Sequence, residues 1–314
     1  MRFLNRKTNI DFIGKRKVAF AISAILIVLS ITSLVTRGLN FGLDFTGGAL
    51  IEVAYSEAPN MQEVRDNLRN AGLDDAMVNT FGLDTEIVVR IPPREEDEEA
   101  AELSTVVLQA LQTGFEGEIE MRRVEFVGPQ VGEELTEQGI LAVVYALIGI
   151  FLYVMMRFQW RFSVGAVTAL VHDVIITMGI ISVIQIEFDL TVVAALLAVI
   201  GYSLNDTIVL FDRIRENFPK LRNHSPIEVV NTSVNETLSR TLMTSLTTLL
   251  VLMALFIFGG EIIHAFAFTL IIGVLVGTYS SIYVASTTLL ELGVSKFDLL
   301  QVEKEGAAAP DSQP

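Results

Sequence analysis

Three ionisable positions interrupt apolar runs that are otherwise long enough to cross a bilayer: Asp206, the pair His172-Asp173, and Arg240 where another run begins. A charge at the middle of such a run costs roughly 2.5–3.5 kcal/mol on insertion scales, so it must be paired, hydrated or neutralised by a proton. Asp206 stands in Gly201-Tyr-Ser-Leu-Asn-Asp206, with Asn205 beside it and Ser203 within a turn. Two chemistries fit. The carboxylate gains and loses a proton, because burial disfavours its charged form, or it is paired permanently and ties two helices together. Arg240 opens the fifth run, and Thr244, Thr247 and Thr248 follow it at helical spacing on one polar face. At that depth its guanidinium could alternately hold and release Asp206, or it snorkels to the surface as an anchor. His172-Asp173 lies near the centre of the third run, about 18 Å in from Arg161 at 1.5 Å per residue. A neutral imidazole relays protons; the alternative is a polar pair that satisfies itself or a neighbouring helix.

Other chemistry finds no residues to carry it. The sequence has no cysteine, and its three histidines, His172, His224 and His264, are too scattered for a metal site. There is no GxxxxGK[ST], no HExxH and no GxSxG. No cofactor and no enzymatic activity are expected. A transporter of this kind draws on an ion gradient or acts passively, and moving one charge across 100 mV is worth about 2.3 kcal/mol. Protons are the coupling ion expected.

The elements that must position these residues are membrane spans. The chain has 314 residues, 51% of them hydrophobic. Six runs with at most one Asp, Glu, Lys or Arg each cover 18–36, 139–156, 162–186, 190–211, 241–260 and 262–290, each near the length needed to cross ~30 Å of hydrocarbon. A soluble globular enzyme is excluded. The first run reads as a retained span, because its core is long for a signal peptide and no clear cleavage site follows. Positive charge marks the cytoplasmic side: Arg2, Arg6, Lys7, Lys15, Arg16 and Lys17 precede span one, Arg157 and Arg161 join spans two and three, and Arg213, Arg215, Lys220 and Arg222 follow span four. The opposite turns carry Glu187, Asp189 and Glu261. Both termini are expected inside, with residues 1–17 as a cytoplasmic N-terminal segment, 292–314 as a largely disordered cytoplasmic tail and 212–239 as a cytoplasmic loop.

The net charge of −15 resides in residues 37–138, which hold 22 Asp and Glu against seven Arg and no Lys. This segment is expected outside, and the lack of a basic surface argues against a nucleic-acid partner. Strands are expected at 49–55, 77–81, 86–91 and 118–127. A helix capped by Asn60 buries Met61, Val64 and Leu68. A second, at 95–113, has an acidic first turn that suits the helix dipole and an apolar face of Leu103, Val107, Ala110 and Leu111. The order βαββαβ is the ferredoxin-like split unit. Ser225-Pro-Ile-Glu228 is a capping box, opening a helix that lies at the membrane surface or packs on the bundle. Gly273 and Gly277 have the GxxxG spacing of close helix packing.

Several motifs together resemble the SecD/SecF family of protein-export membrane proteins. They are Phe41-Gly-Leu-Asp-Phe-Thr-Gly-Gly48, with Gly42, Asp44, Gly47 and Gly48 as its signature; Val171-His-Asp173; the block from Gly201 to Asn217; Asn235-Glu-Thr-Leu-Ser-Arg-Thr241; and Gly277-Thr-Tyr-Ser-Ser-Ile-Tyr283. The span-four block and the single external domain are most similar to the SecF branch. The resemblance implies a relative of the proton-driven RND exporters: a polytopic α-helical membrane protein of six transmembrane helices, one RND-type half, with an external ferredoxin-like α+β domain between helices 1 and 2. It implies SecD as the other half, association with the SecYEG channel and YajC, and use of the proton motive force to move a preprotein across the bacterial cytoplasmic membrane. It assigns Asp206 and Arg240 to proton transport, and leaves His172, Asp173, Asn205 and Thr244 as a secondary relay or as helix packing. A passive scaffold that stabilises the channel complex is the alternative function.

Overall fold

The computed structural model describes residues 8–93 and 100–294, leaving aside the side chains of Phe81, Glu261 and residues 100–102. The acidic run 95–99 and the tail expected to be disordered lie outside the described residues. Six helices are long and apolar enough to cross a membrane: Ile13–Thr36, Pro129–Arg157, Trp160–Ile184, Leu190–Lys220, Pro226–Phe258 and Ile262–Glu291. Arg16–Thr36 is α1. Between it and the second spanning helix, α5 (Pro129–Arg157), lies a separate α+β domain.

That domain consists of β2 (Gly48–Tyr55), α3 (Met61–Asn70), β3 (Met77–Phe81), β4 (Leu83–Ile91), α4 (Ala100–Gln112) and β5 (Ile119–Val127), preceded by β1 (Asn40–Phe41) and the single turn α2 (Leu43–Thr46). The four long strands form one antiparallel sheet in the order β3-β4-β2-β5, as the split unit requires. Alternation decides which face is covered. Ile51, Val53, Tyr55, Ile87, Val89 and Ile91 point to the helices and are buried with Val64 and Leu68 of α3 and Leu103, Val107 and Leu111 of α4. Asn60 caps α3 by accepting from the Gln62 N–H at 3.0 Å. The β3–β4 turn is tighter than expected: only Gly82, at φ 74°, lies between the two strands, and Leu83 and Asp84 already belong to β4.

α5 starts ten residues before the expected span, directly after β5, with Pro129 in its first turn, where proline's missing N–H costs nothing. The bundle continues with α6 (Trp160–Ile184), β6 (Glu187–Phe188), α7 (Leu190–Lys220), α8 (Pro226–Phe258), α9 (Glu261–Ser280), a π-helical segment Ser281–Ala285 and α10 (Ser286–Glu291). The expected loop 212–239 is mostly helix, because α7 runs on to Lys220 and α8 begins at Pro226. The capping box is formed: Ser225 Oγ accepts from the Glu228 N–H, and the Ser225 N–H donates to Glu228 Oε2 at 2.7 Å. The helix it opens packs on the bundle. Its Val229, Val230 and Val234 are buried in a cluster with Phe162, Phe211 and Phe218, and Leu238 is buried as well, while Ile227 is exposed.

Small residues let the central helices approach closely. A Cβ on Gly273 of α9 would sit 2.0 Å from Val199 Cγ2 of α7, one on Gly277 would sit 3.0 Å from Ser203 Cβ, and one on Gly179 of α6 would sit 2.6 Å from Ser30 Cα of α1. Overpacking of this kind costs about 1–3 kcal/mol. Gly273→Ala is therefore expected to destabilise the detergent-solubilised protein by that amount in thermal unfolding. Val199→Ala should recover part of the loss in the double variant; additive losses would show that the two positions do not meet.

Candidate functional site

The buried polar residues of the bundle gather where α1, α6, α7 and α9 meet. His172 and Asp173 lie midway along α6, and Asp173 has no exposed surface. His172 Nδ1 is 2.9 Å from Asp173 Oδ1. Asp173 Oδ2 accepts from Ser203 Oγ of α7 at 2.6 Å and from Ser280 Oγ of α9 at 2.8 Å. His172 Nε2 is 3.1 Å from Ser23 Oγ of α1. Ser23 in turn meets the Tyr279 hydroxyl at 3.2 Å, and Tyr279 donates to the Ala19 carbonyl at 2.7 Å. Every polar atom of the His172-Asp173 pair thus has a partner, and the pair joins four helices.

Asp206 is placed differently. It lies one turn beyond Ser203 on α7, nearly midway along the 31-residue helix, and is 4% exposed. Neither carboxylate oxygen forms a hydrogen bond or an ion pair among the described residues, and Oδ2 is fully buried. Around it the hydroxyls pair among themselves: Thr207 Oγ1 with Ser281 Oγ at 2.9 Å, Ser245 Oγ with Thr278 Oγ1 at 2.7 Å, and the Tyr202 hydroxyl with Ser245 Oγ at 3.4 Å. Arg240 of α8 is exposed and near enough to act on Asp206 electrostatically, but it makes no ion pair with it within 4.0 Å. The expected Asp206–Arg240 contact is therefore absent from this conformation, and so is a permanent pairing of Asp206. Asn205 is exposed. The Thr244 hydroxyl donates to the Arg240 and Thr241 carbonyls of its own helix, and Thr247 behaves alike. Of this threonine face, Thr247 is exposed while Thr244 and Thr248 are half-buried. No group of three or more His, Asp and Glu able to hold a metal is found among the described residues.

Ser23 escaped the sequence reading, and Tyr279 entered it only as part of a motif block. The signal existed: Ser23, Ser30 and Ser33 recur along one face of an apolar run, and all three are buried against α6. Polar residues in and beside two motif blocks also have a local job. Asn217 donates to Ser233 Oγ at 3.0 Å and to Glu236 Oε2 at 2.8 Å, and Arg213 pairs with Glu236 at 3.4 Å. Asn231 and Asn235 grip the backbone of residues 10–13 with their side-chain amides. These contacts fasten the ends of α7 and α8 and the segment before α1.

The glycine-rich signature lies at the other end of α7. Gly47 and Gly48 take φ of 67° and 108°, which side chains rarely adopt, and a Cβ on Gly48 would meet the Ile91 carbonyl at 2.2 Å. Gly42 donates to the Phe188 carbonyl at 2.8 Å. Asp44 Oδ2 accepts from the N–H of Leu190, the first residue of α7, at 2.9 Å.

Two family models match this sequence: residues 107–295 match "Protein export membrane protein SecD/SecF, C-terminal", and residues 32–59 match "SecD/SecF GG Motif". The chain belongs to the SecD/SecF family. It is 53% identical over 308 residues to the protein translocase subunit SecF of Vibrio alginolyticus, covering 98% of each chain. It is 47% identical to that of Escherichia coli O157:H7, covering 97% of this chain and 95% of the other. Among solved structures it resembles SecDF of Thermus thermophilus, described as a translocon-associated membrane protein, at 37% identity and a TM-score of 0.81 over 93% of this chain. A structure of SecDF in a super-membrane-facing form gives a TM-score of 0.68 at 37% identity. The chain spans 39% of the length of each solved SecDF chain. Its match to SecDF, its six spans and its α+β insert make it a multi-pass membrane protein of the SecF type.

Within this SecF-type fold, Glu187 at the α6–α7 turn has a displaced titration. Although 46% of its side chain stays accessible, burial holds its carboxyl above the usual carboxylate range. Arg90 pulls it down, while Asp189 and Asp44 push it up and Arg123 opposes them. The folded protein therefore binds this proton more tightly than the unfolded chain, so the Glu187 charge opposes folding at neutral pH and the penalty fades as pH falls through the raised value. Arg90→Gln is expected to move the Glu187 titration to still higher pH, and Asp189→Asn to lower it. Carboxyl infrared spectra against pH read both shifts, and an unmoved Glu187 in Arg90→Gln would refute the assignment.

Proposed function

We propose that the chain acts as the SecF subunit of a protein translocase in the bacterial cytoplasmic (inner) membrane, using the proton motive force to promote translocation and release of preproteins. In this reading SecD supplies the matching half, and SecYEG, YajC and the translocating preprotein are further partners. The names of its relatives support the subunit assignment. The observation that carries the proton reading is Asp206: a carboxylate 4% exposed, mid-helix, with no partner. A membrane interior does not tolerate a charge left in that condition, so the residue is suited to binding a proton and releasing it when Arg240 approaches. Protonation changes which helix arrangement is favoured, and only such a difference between two states moves a structure. The His172-Asp173 pair, satisfied by Ser23, Ser203 and Ser280, holds four helices together beside Asp206. The positive-inside pattern supports a reading with both termini in the cytoplasm and the α+β domain outside.

In inverted membrane vesicles, Asp206→Asn is expected to reduce the stimulation of translocation by a proton gradient to about onefold while leaving the unstimulated rate in place. Exchanging the two charges, Asp206→Arg with Arg240→Asp, should not restore it. Full stimulation in the asparagine variant sinks the proton reading, and rescue by the exchange favours the passive scaffold. Orientation is tested separately, and the absence of cysteine from the chain makes the background clean. Gln62→Cys on α3 should label with an impermeant maleimide in intact spheroplasts, whereas Arg222→Cys should label only after permeabilisation; the reverse pattern inverts the topology.

A further inference from the structure

The segment between α1 and the sheet makes more contacts than a linker needs. β1 pairs in parallel with β6, Asn40 opposite Glu187 and Phe41 opposite Phe188. Phe41, Phe45 and Phe188 pack with ring centroids 5.7–6.0 Å apart. Arg90, on the central strand β4, donates to the Phe41 carbonyl at 2.8 Å and to Thr46 Oγ1 at 2.9 Å, and its other terminal nitrogen is 3.5 Å from Glu187. One guanidinium therefore touches the sheet's own lead-in segment and the turn that precedes α7.

The start of α7 is held by two carboxylates. Asp189 is the local cap, accepting from the Val192 N–H at 2.9 Å. The second is Asp44, which comes from 146 residues away to accept from Leu190. The unpaired N–H groups and positive dipole of a helix start make carboxylate oxygens good partners there. A single local cap is what most helices use, so the second ties α7 to something else. Through Gly47 and Gly48, where no Cβ fits beside the Ile91 carbonyl and the Val127–Pro129 backbone, Asp44 is joined without slack to β2. Beside this junction a cleft of about 620 Å³ separates the uncovered face of the sheet, at Glu52, Val88 and Arg123, from the bundle end at Asp189, Thr191 and Ile262. The domain thus meets the bundle through α2, which packs against α5 at Gly132, and through the Asp44 cap on α7, with open space beside them.

We infer that Asp44, with Arg90 and Glu187, forms the joint through which α7 sets the tilt of the α+β domain, Asp44 and Arg90 being positioning residues. A shift of α7 pulls on Asp44, and the stiff Gly47-Gly48 corner passes the pull to the sheet, which opens or closes the cleft. The link to translocation rests on the reading that Asp206, on the same helix, drives that shift; the joint itself does not.

The test uses the full chain with its SecD partner in vesicles, spin-labelled at Gln62→Cys on α3 and Val35→Cys on α1, both exposed. In the parent the distance distribution is expected to be narrow and to shift when a proton gradient is applied. Asp44→Ala should broaden it by about twofold or more, as loss of one cap and its tether frees the domain, and should abolish the shift. Asp44→Asn, whose amide oxygen still accepts from Leu190, should restore both. A brace without a coupling role would leave the shift intact in Asp44→Ala, and that result overturns the inference, as does a distribution as narrow as the parent's. Should the parent itself not shift, the proton reading fails, and the width of the Asp44→Ala distribution still decides the joint.

Discussion

A carboxylate in a membrane interior is stable only when something compensates its charge, and the two aspartates at the centre of this bundle meet that demand in opposite ways. Asp173 takes hydrogen bonds from Ser203 and Ser280 and faces His172. Asp206, one turn along α7 from Ser203, has none of these. In a medium of low dielectric a satisfied polar network rigidifies its surroundings, while an unsatisfied group is a free-energy debt that a proton or a moving cation settles. The satisfied carboxylate and the unpartnered one lie on neighbouring helices, α6 and α7, close to Ser203.

Close packing makes the arrangement possible. Gly273 and Gly277 bring α9 against α7 with no room for a side chain, and Gly179 brings α6 against Ser30 of α1. Hydroxyls of Ser and Thr then lie within reach of carboxylates on neighbouring helices, which longer side chains would have pushed apart. At one end of α7 the Asn217–Ser233–Glu236 contacts and the Asn231 and Asn235 grips hold α7, α8 and the residues before α1 together. At the other end the aromatic cluster of Phe41, Phe45 and Phe188 and the Asp44 cap meet the sheet. The motif blocks that carry the SecD/SecF likeness therefore divide their labour along one helix: a fastened end, a buried carboxylate and a junction with the α+β domain.

The sheet shows why the junction lies where it does. Its helices cover only one face, burying Ile51, Val53, Ile87 and Val89, and the opposite face carries Glu52, Val88, Arg90 and Arg123. A two-layer unit with one polar face has to rest on something or face water. Here a cleft lies between that face and the bundle end, bordered by the junction residues Asp44, Glu187 and Asp189.

By itself the sequence determined the six spans, the βαββαβ order, the Asn60 and Ser225 caps and the selection of Asp206 and His172-Asp173. These follow from hydropathy, periodicity and short-range hydrogen bonding, which act within a few residues along the chain. The sequence also marked Asp44, Gly47 and Gly48, through a resemblance rather than through any local rule. Only the tertiary structure decided that Arg240 stands apart from Asp206, that the helix opened by Ser225 packs on the bundle, and that Ser23 and Tyr279 complete the histidine network. It alone gave Asp44 a partner 146 residues away. Such contacts depend on helix rotation and on the closeness of two backbones, and spacing along one chain segment carries no record of which distant segment will lie against it.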